Sequence, residues 1–321
     1  MISLQDIEHA RESISELVKK TPLKRSTSLS RLCGGEVYLK LENQQVTNSF
    51  KIRGAYNRLK QMKTEDKECG VITASAGNHG LAVALSAEQL KIRVKIVVPR
   101  STPKIKVDRI RKYNAELLLE GSIYDEAEQK AITLAREEEM TYISPYNDGS
   151  VIAGQGTIGL EILEDLKETE TIIVPVGGGG LISGVSIAMK AADPAITILG
   201  AQSVASPIMY ESLKAGKIVQ AEMSESIADG LFGGIEKGSI TFEIVRDLVD
   251  DIILVKENTI RKAIRMLWNE EKQAVEGAGA VGVAALMENA GSFEGKTVVV
   301  IISGGNIERK ELSRILVSEE S

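Results

Sequence analysis

Histidine and cysteine are nearly missing from this chain, with two of each in 321 residues. A zinc site needs clustered imidazole or thiolate ligands, and no such spacing is present, so none is expected. Cys33 and Cys69 could form one bridge but not a disulfide framework. There is no G-x-S-x-G elbow and hence no hydrolase triad of that kind. Runs of Lys and Arg are also missing, and the net charge is −6, so nucleic acid and anionic membrane are not expected partners. The first residues, MISLQDIEHARESISELVKK, lack an apolar core for export. They place Ile7, Ala10, Ile14, Leu17 and Val18 on one helical stripe, and a reducing cytoplasm is the expectation. The stretch Ile172 to Met189 carries no charge, but it contains Pro175, Gly177 to Gly180 and Gly184. Four consecutive glycines suit a strand, a loop and a buried helix better than a membrane span.

What is present is an alternation of short β-branched runs with helical patterns. Strands are expected at Val37–Leu41, Val71–Thr73, Val94–Val98, Glu116–Leu119, Tyr142–Ser144, Thr171–Val176, Ile196–Gln202, Ile252–Val255 and Thr297–Ile302. Helices are expected at Asn78–Glu88, Lys104–Arg111, Tyr124–Glu138, Gly156–Leu166, Leu181–Ala192 and Asn258–Glu270. The strands are continuous apolar runs, which implies parallel sheets covered on both faces. The fold class is α/β, with open, twisted, mostly parallel sheets. The length suggests two domains. Residues 69–147 are read as a small lobe, and 1–68 plus 148–321 as a large one, with the turn residues of Ser144–Ser150 at the crossing.

Ligands in such folds bind where strand ends meet helix starts. The loop TIIVPVGGGGLISG (171–184) follows a strand and opens a helix. It lacks the Gly-Lys-Ser/Thr of a Walker A loop and does not fit the dinucleotide template. Four glycines ahead of a helix N-terminus suit a phosphate, with tight packing as the competing reading. TASAGNHG (73–80) also opens a helix, and its free N–H groups suit a carboxylate. His79 there is as readily a structural cap. VIISGGN (300–306) delivers Ser303 to a strand end, as a cap or as a hydroxyl facing a ligand. VEGAGA (275–280) puts Glu276 at a helix start, where an acid is favoured by the dipole alone. AGQGTIG (153–159) reads as packing.

In TNSFKIRGAY (47–56), Lys51 falls in the first turn of a helix with Asn48 or Ser49 as N-cap. The helix dipole opposes a cation there. Lys51 either points to solvent or is held as an amine nucleophile. A phosphate cup, a carboxylate loop and such a lysine combine in one way. A phosphorylated aldehyde cofactor joins the lysine as a Schiff base, and an amino acid is the substrate.

The segments SFKIRGA, SAGNHG, GGGGLISG, VEGAGA and SGGN, with AGQGTIGLEI and FEIVRDLVDDIILV, occur in the order seen in one family. Over nearly its whole length the chain resembles the pyridoxal-phosphate-dependent serine/threonine dehydratases (threonine ammonia-lyases). These are fold type II enzymes, built like the tryptophan synthase β-chain. The resemblance implies that Lys51 is the Schiff-base lysine and the base at Cα. It implies cofactor contacts from Phe50, Asn78, Gly177, Gly178, Gly179, Gly180, Leu181, Glu276, Ser303 and Gly304. Ser303 would face the pyridine nitrogen. A neutral hydroxyl there limits carbanion lifetime and favours prompt β-elimination over racemisation. Ser75, Ala76, Gly77, Asn78 and His79 would bind the substrate carboxylate. The implied reaction takes L-threonine or L-serine to 2-oxobutyrate or pyruvate plus ammonia. Another β-hydroxy amino acid, such as 3-hydroxyaspartate or a hydroxyectoine-breakdown intermediate, and serine racemisation are the alternatives. A homodimer or homotetramer and a short catabolic-type enzyme also follow from the resemblance, and lobe closure over the substrate is the expectation from the two-domain reading.

Three positions depart from the family pattern. Asn48 stands where glycine is usual, and asparagine tolerates the left-handed turn. Ala76 stands where serine racemases carry a serine that moves a proton. Gln202 and Ile208 stand where the divalent-metal-binding members have acidic ligands, so that metal site is not expected.

Overall fold

The computed structural model describes residues 2–317. Ten strands form two sheets. They are β1 (Leu23–Arg25), β2 (Glu36–Leu41), β3 (Val71–Ala74), β4 (Val94–Val98), β5 (Glu116–Leu119), β6 (Thr141–Tyr142), β7 (Thr171–Pro175), β8 (Thr197–Ser203), β9 (Asp251–Val255) and β10 (Thr297–Ile302). The larger sheet has the order β1-β2-β10-β7-β8-β9, and the smaller β5-β4-β3-β6. All neighbours are parallel except β1, which runs antiparallel to β2. Two open, mostly parallel sheets are the expected class. β1 was not anticipated: its three residues, Leu-Lys-Arg, are half-buried or exposed at an edge and carry no apolar pattern.

The continuous apolar runs have the expected cause. In β10, Val298, Val300 and Ile302 face one core with Val281 and Ile264. Val299 and Ile301 face the other with Ile182 and Val185. Successive side chains point to opposite faces, so a strand covered on both must be apolar throughout. β3 does the same in the smaller sheet, with Val71 in one cluster and Ile72 and Ala74 in another.

The helix Lys51–Lys60 belongs to both halves. Its Ile52, Ala55, Tyr56 and Leu59 pack into the core of the smaller sheet. Its opposite side meets the helix Gly149–Asp165 through glycines: a Cβ at Gly154 would stand 2.6 Å from the Gly54 Cα. That partner helix begins seven residues earlier than expected. The Asp148 carboxylate accepts from the N–H groups of Ser150 and Val151 and starts it. AGQGTIG is helix-packing sequence, as read: Gly156 lies against Ile7 and Gly184, and Gly159 against Ala188. At the other end of the chain's first stripe, Leu17 and Val18 lie beyond the helix Leu4–Ile14 and pack with Ile14 on the core of the smaller sheet, whereas Ile7 and Ala10 pack in a separate cluster with Ile152 and Ala188.

Arg53 is fully buried on this helix. Its guanidinium donates to Glu42 at 2.8 Å and to Glu161 at 2.7 Å, and Lys40 reaches Glu161 at 2.5 Å. Two cations and two carboxylates balance one another, which is the condition for keeping them out of water.

Candidate active site

The loops Ser75–Gly77, Val176–Gly179 and Ser303–Gly305 follow β3, β7 and β10. Asn78, just after the first, meets Glu276 beside Gly304, and Gly178 lies against Tyr146, next to the Pro145 that Lys51 reaches. The turn before Lys51 is tied to the last of these. Ser49 pairs with Gly304 as an antiparallel bridge, Phe50 N donates to Ser303 O at 3.1 Å, and Gly305 N donates to Asn48 O at 2.8 Å. Asn48 has φ 55° and takes the left-handed turn that glycine would. Neither Asn48 nor Ser49 caps the helix. The bridge to Gly304 holds Ser49 extended, so the helix starts after Phe50, with no side-chain cap.

Lys51 therefore occupies the first helical position. Its Nζ donates to Pro145 O at 2.9 Å and lies 5.1 Å from the Phe50 ring centre. Burial lowers the amine to a pKa of about 8, against the opposing pull of Glu276. The helix N-terminus acts in the same direction as burial. The amine is part-buried rather than free in solvent, and although the ammonium still predominates near physiological pH, far more of it is neutral than in an ordinary lysine.

Asn78 begins the helix Asn78–Leu90. Its Nδ2 donates to Glu276 Oε1 at 2.6 Å, and its Oδ1 accepts from Asn306 Nδ2 at 2.7 Å. Glu276 sits at the N-terminus of Gly277–Glu288 but caps nothing with its side chain. Burial, then Asp229, raise its carboxyl to about 7, opposed by the Asn78 amide, the Asn306 backbone and Lys106. Gly304 is forced small, since a Cβ there would collide with the Glu276 carboxylate. Ser303 is buried, and its Oγ has one long bond, 3.4 Å to Ala278 O.

His79 turns away from this cluster. Its Nε2–H donates to Ile143 O at 3.0 Å, and burial holds the ring neutral, with a pKa of about 3. What it presents to the loop is its backbone N–H. Ser75 Oγ accepts from Gly77 N at 3.2 Å. Ala76, Gly77 and Asn78 line a cavity of about 360 Å³ together with Glu276, Asn306, Arg109 and Lys106. Lys51, Ser303 and the glycine loop lie outside that cavity's lining.

The glycine loop leads into the helix Gly180–Ala192, whose first internal bond is Ser183 N to Gly179 O at 2.9 Å. The N–H groups of Gly180, Leu181 and Ile182 precede it and have no intrahelical acceptor. Packing also demands these glycines. A Cβ at Gly178 would meet the Tyr146 ring at 2.5 Å, one at Gly180 would meet Tyr146 at 2.9 Å, and Gly179 has φ 89°. The loop thus excludes side chains by packing, and the first N–H groups of the helix are left without intrahelical acceptors. A phosphate fits this cradle, and a carbonyl carbon fits the neutral amine of Lys51. The residues present suit pyridoxal phosphate.

Sequence reasoning did not single out Tyr146 or Asn306 as site residues. Tyr146 was visible only as part of a turn, and Asn306 only as the last letter of SGGN. The Tyr146 hydroxyl accepts from Glu236 N at 2.9 Å, which fixes the ring against the glycine loop. Among the described residues, no group of three His, Cys, Asp or Glu could hold a metal ion, and no helix is long and apolar enough to cross a membrane.

Residues 14–304 match the family model of pyridoxal-phosphate-dependent enzymes. The chain is 45% identical over 317 residues to an L-threonine ammonia-lyase of Thermotoga maritima, covering 98% of this chain and 78% of that one. It is 42% identical over 316 residues to the catabolic L-threonine dehydratase of Escherichia coli K12, covering 98% and 96%. Its fold superimposes on a maize serine racemase with a TM-score of 0.93 and 38% identity, covering 97% and 96%. The chain belongs to the pyridoxal-phosphate-dependent, fold type II family of threonine dehydratases.

Proposed function

We propose that this protein is a threonine/serine ammonia-lyase. It converts L-threonine to 2-oxobutyrate and L-serine to pyruvate, each with release of ammonia. The observation that carries the reading is the part-buried amine of Lys51, its pKa lowered, on a turn bonded to Ser303 and Gly304. Residues 1–68 with 148–321 act as the cofactor lobe, and 69–147 as the substrate lobe.

Bound pyridoxal phosphate supplies the electron sink that makes the substrate Cα–H acidic. Gly177 to Leu181 hold its phosphate with backbone N–H groups at a helix start. Phe50 and Gly304 would flank it, and Ser303 would offer its Oγ as a neutral hydroxyl to the ring nitrogen. Asn78, anchored on Glu276, orients the ring from the substrate side. The N–H groups of Ser75, Ala76, Gly77 and His79 bind the substrate carboxylate. Lys51 Nζ would hold the cofactor, and its free amine would take the Cα proton. Enclosure between the lobes excludes water during that transfer.

The likeness to a serine racemase favours one second reading, a side activity on Cα configuration. Ala76 argues against it, because a methyl group cannot return a proton to the opposite face. The chain is proposed to work in the cytoplasm as a homodimer or homotetramer.

The test is 2-oxo acid and ammonia release from L-threonine and L-serine, with wild type and Lys51→Ala side by side. Turnover that disappears in the variant is expected. A cofactor-loaded wild type inert toward both amino acids would refute the substrate assignment, and D-serine production would favour the second reading.

A further inference from the structure

Asn306 has no role in the reading above, yet its bonds reach most of the site's parts. We propose that Asn306 is a positioning residue that locks the Asn78 amide and the turn before Lys51 into a single arrangement. The proposal rests on the cofactor-site reading just given and extends it to a residue that touches neither cofactor nor substrate in that reading.

The side-chain amide has two hydrogens, and both are used outside its own loop. Nδ2 donates to Thr47 O at 2.8 Å, in the lysine turn, and to Asn78 Oδ1 at 2.7 Å, across to the smaller sheet's helix. Its Oδ1 accepts from Asn48 Nδ2 at 3.5 Å. Its carbonyl accepts from Arg109 Nη1 at 3.3 Å, in the helix Lys104–Ile110, and its backbone favours the ionised Glu276 carboxylate. A loop asparagine that merely closed its own turn would bond within residues 303–307. None of these side-chain bonds does.

The consequence is a fixed orientation for Asn78. Its oxygen must face the donor Nδ2 of Asn306, and its nitrogen the acceptor Oε1 of Glu276. One N–H of Asn78 then remains to face a ligand. Without Asn306 the Asn78 oxygen loses its donor, and nothing distinguishes the two flips of the amide except Glu276. The same loss frees the carbonyl of Thr47, four residues before the lysine.

Asn306→Asp separates positioning from bulk. It is nearly isosteric but carries acceptors only. It cannot donate to Thr47 or Asn78, and it draws the Asn78 nitrogen away from Glu276. Asn306→Ala removes both bonds without adding charge. Asn306→Ser retains one hydroxyl donor.

The experiment uses apoprotein reloaded with pyridoxal phosphate. It reads the cofactor dissociation constant, the visible-region circular dichroism of the bound cofactor, kcat and KM for L-threonine, and thermal unfolding. We expect the dissociation constant to rise at least tenfold in the Ala and Asp variants, with altered visible dichroism and far-ultraviolet spectra unchanged. The kcat should fall more than KM rises, and the Ser variant should lie between. Wild-type affinity and visible dichroism in the Asp and Ala variants would overturn the proposal, and so would lower thermal stability with both cofactor signals intact. If the Ala variant does not fold, the Asp and Ser variants decide by the same readings. If wild type holds cofactor but spares L-threonine, the activity reading fails, while affinity and dichroism still test Asn306.

Discussion

Replacing Arg53 by methionine should be among the most damaging single changes in this protein. The guanidinium is fully buried and donates to both oxygens of Glu42, at 2.8 Å each, and to both of Glu161, at 2.7 and 3.0 Å. Methionine fills much of the space but leaves two buried carboxylates facing Lys40 as the remaining cation of the cluster. Removing one partner of such a network costs about 3–5 kcal/mol, because a charge is left uncompensated in a low-dielectric interior. With an unfolding entropy of about 2.1 cal/mol/K per residue, 321 residues lose roughly 1.5 °C of Tm per kcal/mol, so Tm should fall by about 4–7 °C. Scanning calorimetry of the apoprotein measures this directly. The double variant Arg53→Met/Glu42→Gln removes one orphaned charge and should recover about 1–2 kcal/mol, since contacting residues couple on that scale. A loss below about 1 kcal/mol in the single variant, or no recovery in the double, would refute the view that these four charges depend on each other. Arg53 lies two residues beyond Lys51 on the same helix, so kcat should fall as well.

Three further outcomes are expected. Capture of pyridoxal phosphate by the apoprotein should quicken as pH rises through about 8 and then level off, because Lys51 is a nucleophile only below full protonation; a rate that does not vary with pH would contradict its lowered pKa. Glu276, raised from 4.5 to about 7, contributes stability that is fully present below its unfolded pKa and lost as pH rises through its folded one. The apoprotein should therefore lose about 3 kcal/mol relative to Glu276→Gln between those limits, and parallel urea melts that showed a constant difference would refute this. Gly178→Ala places a methyl on the Tyr146 ring and should cost about 1–3 kcal/mol and at least tenfold in cofactor affinity, with partial recovery in Gly178→Ala/Tyr146→Ala; a neutral single variant would show that the ring yields freely.

The parts of the fold that were legible in sequence are those fixed by local chemistry. Continuous apolar runs marked β7 and β10, because strands covered on both faces have little polar side to show, and β2 and β4 were legible although each carries one lysine, Lys40 and Lys95, held in an ion pair. Glycines and small polar residues directly after β3, β7 and β10 marked the loops of the site. β1 was invisible because its place in the sheet comes from pairing with β2, while two of its three residues are charged. The early start of the helix at Gly149 was hidden because Ser144–Ser150 read as turn sequence, although Gly154, Gly156 and Gly159 further along are spent on close approach to other helices. The N-cap of the lysine helix was misplaced because the bridge from Ser49 to Gly304 joins positions 255 residues apart. Tyr146 and Asn306 share that difficulty. Their significance lies wholly in what distant segments bring beside them.

The strand order of the larger sheet has a consequence for how this chain is made. β10, the last strand in sequence, lies between β2 and β7 and pairs with both. Until residues 297–302 leave the ribosome, β2 has no parallel neighbour, and β7 presents an open apolar edge. The smaller sheet, with all its strands between residues 71 and 142, has no such dependence and can form while the rest is still being synthesised. The larger sheet must wait, holding a gap where its centre will be, and its pairings span most of the chain, which makes closure slow. The closing strand also delivers Ser303 and the loop that anchors the lysine turn. Completion of the sheet and assembly of the site are thus the same event, and a nascent chain cannot bind cofactor in its finished site before its core is shut.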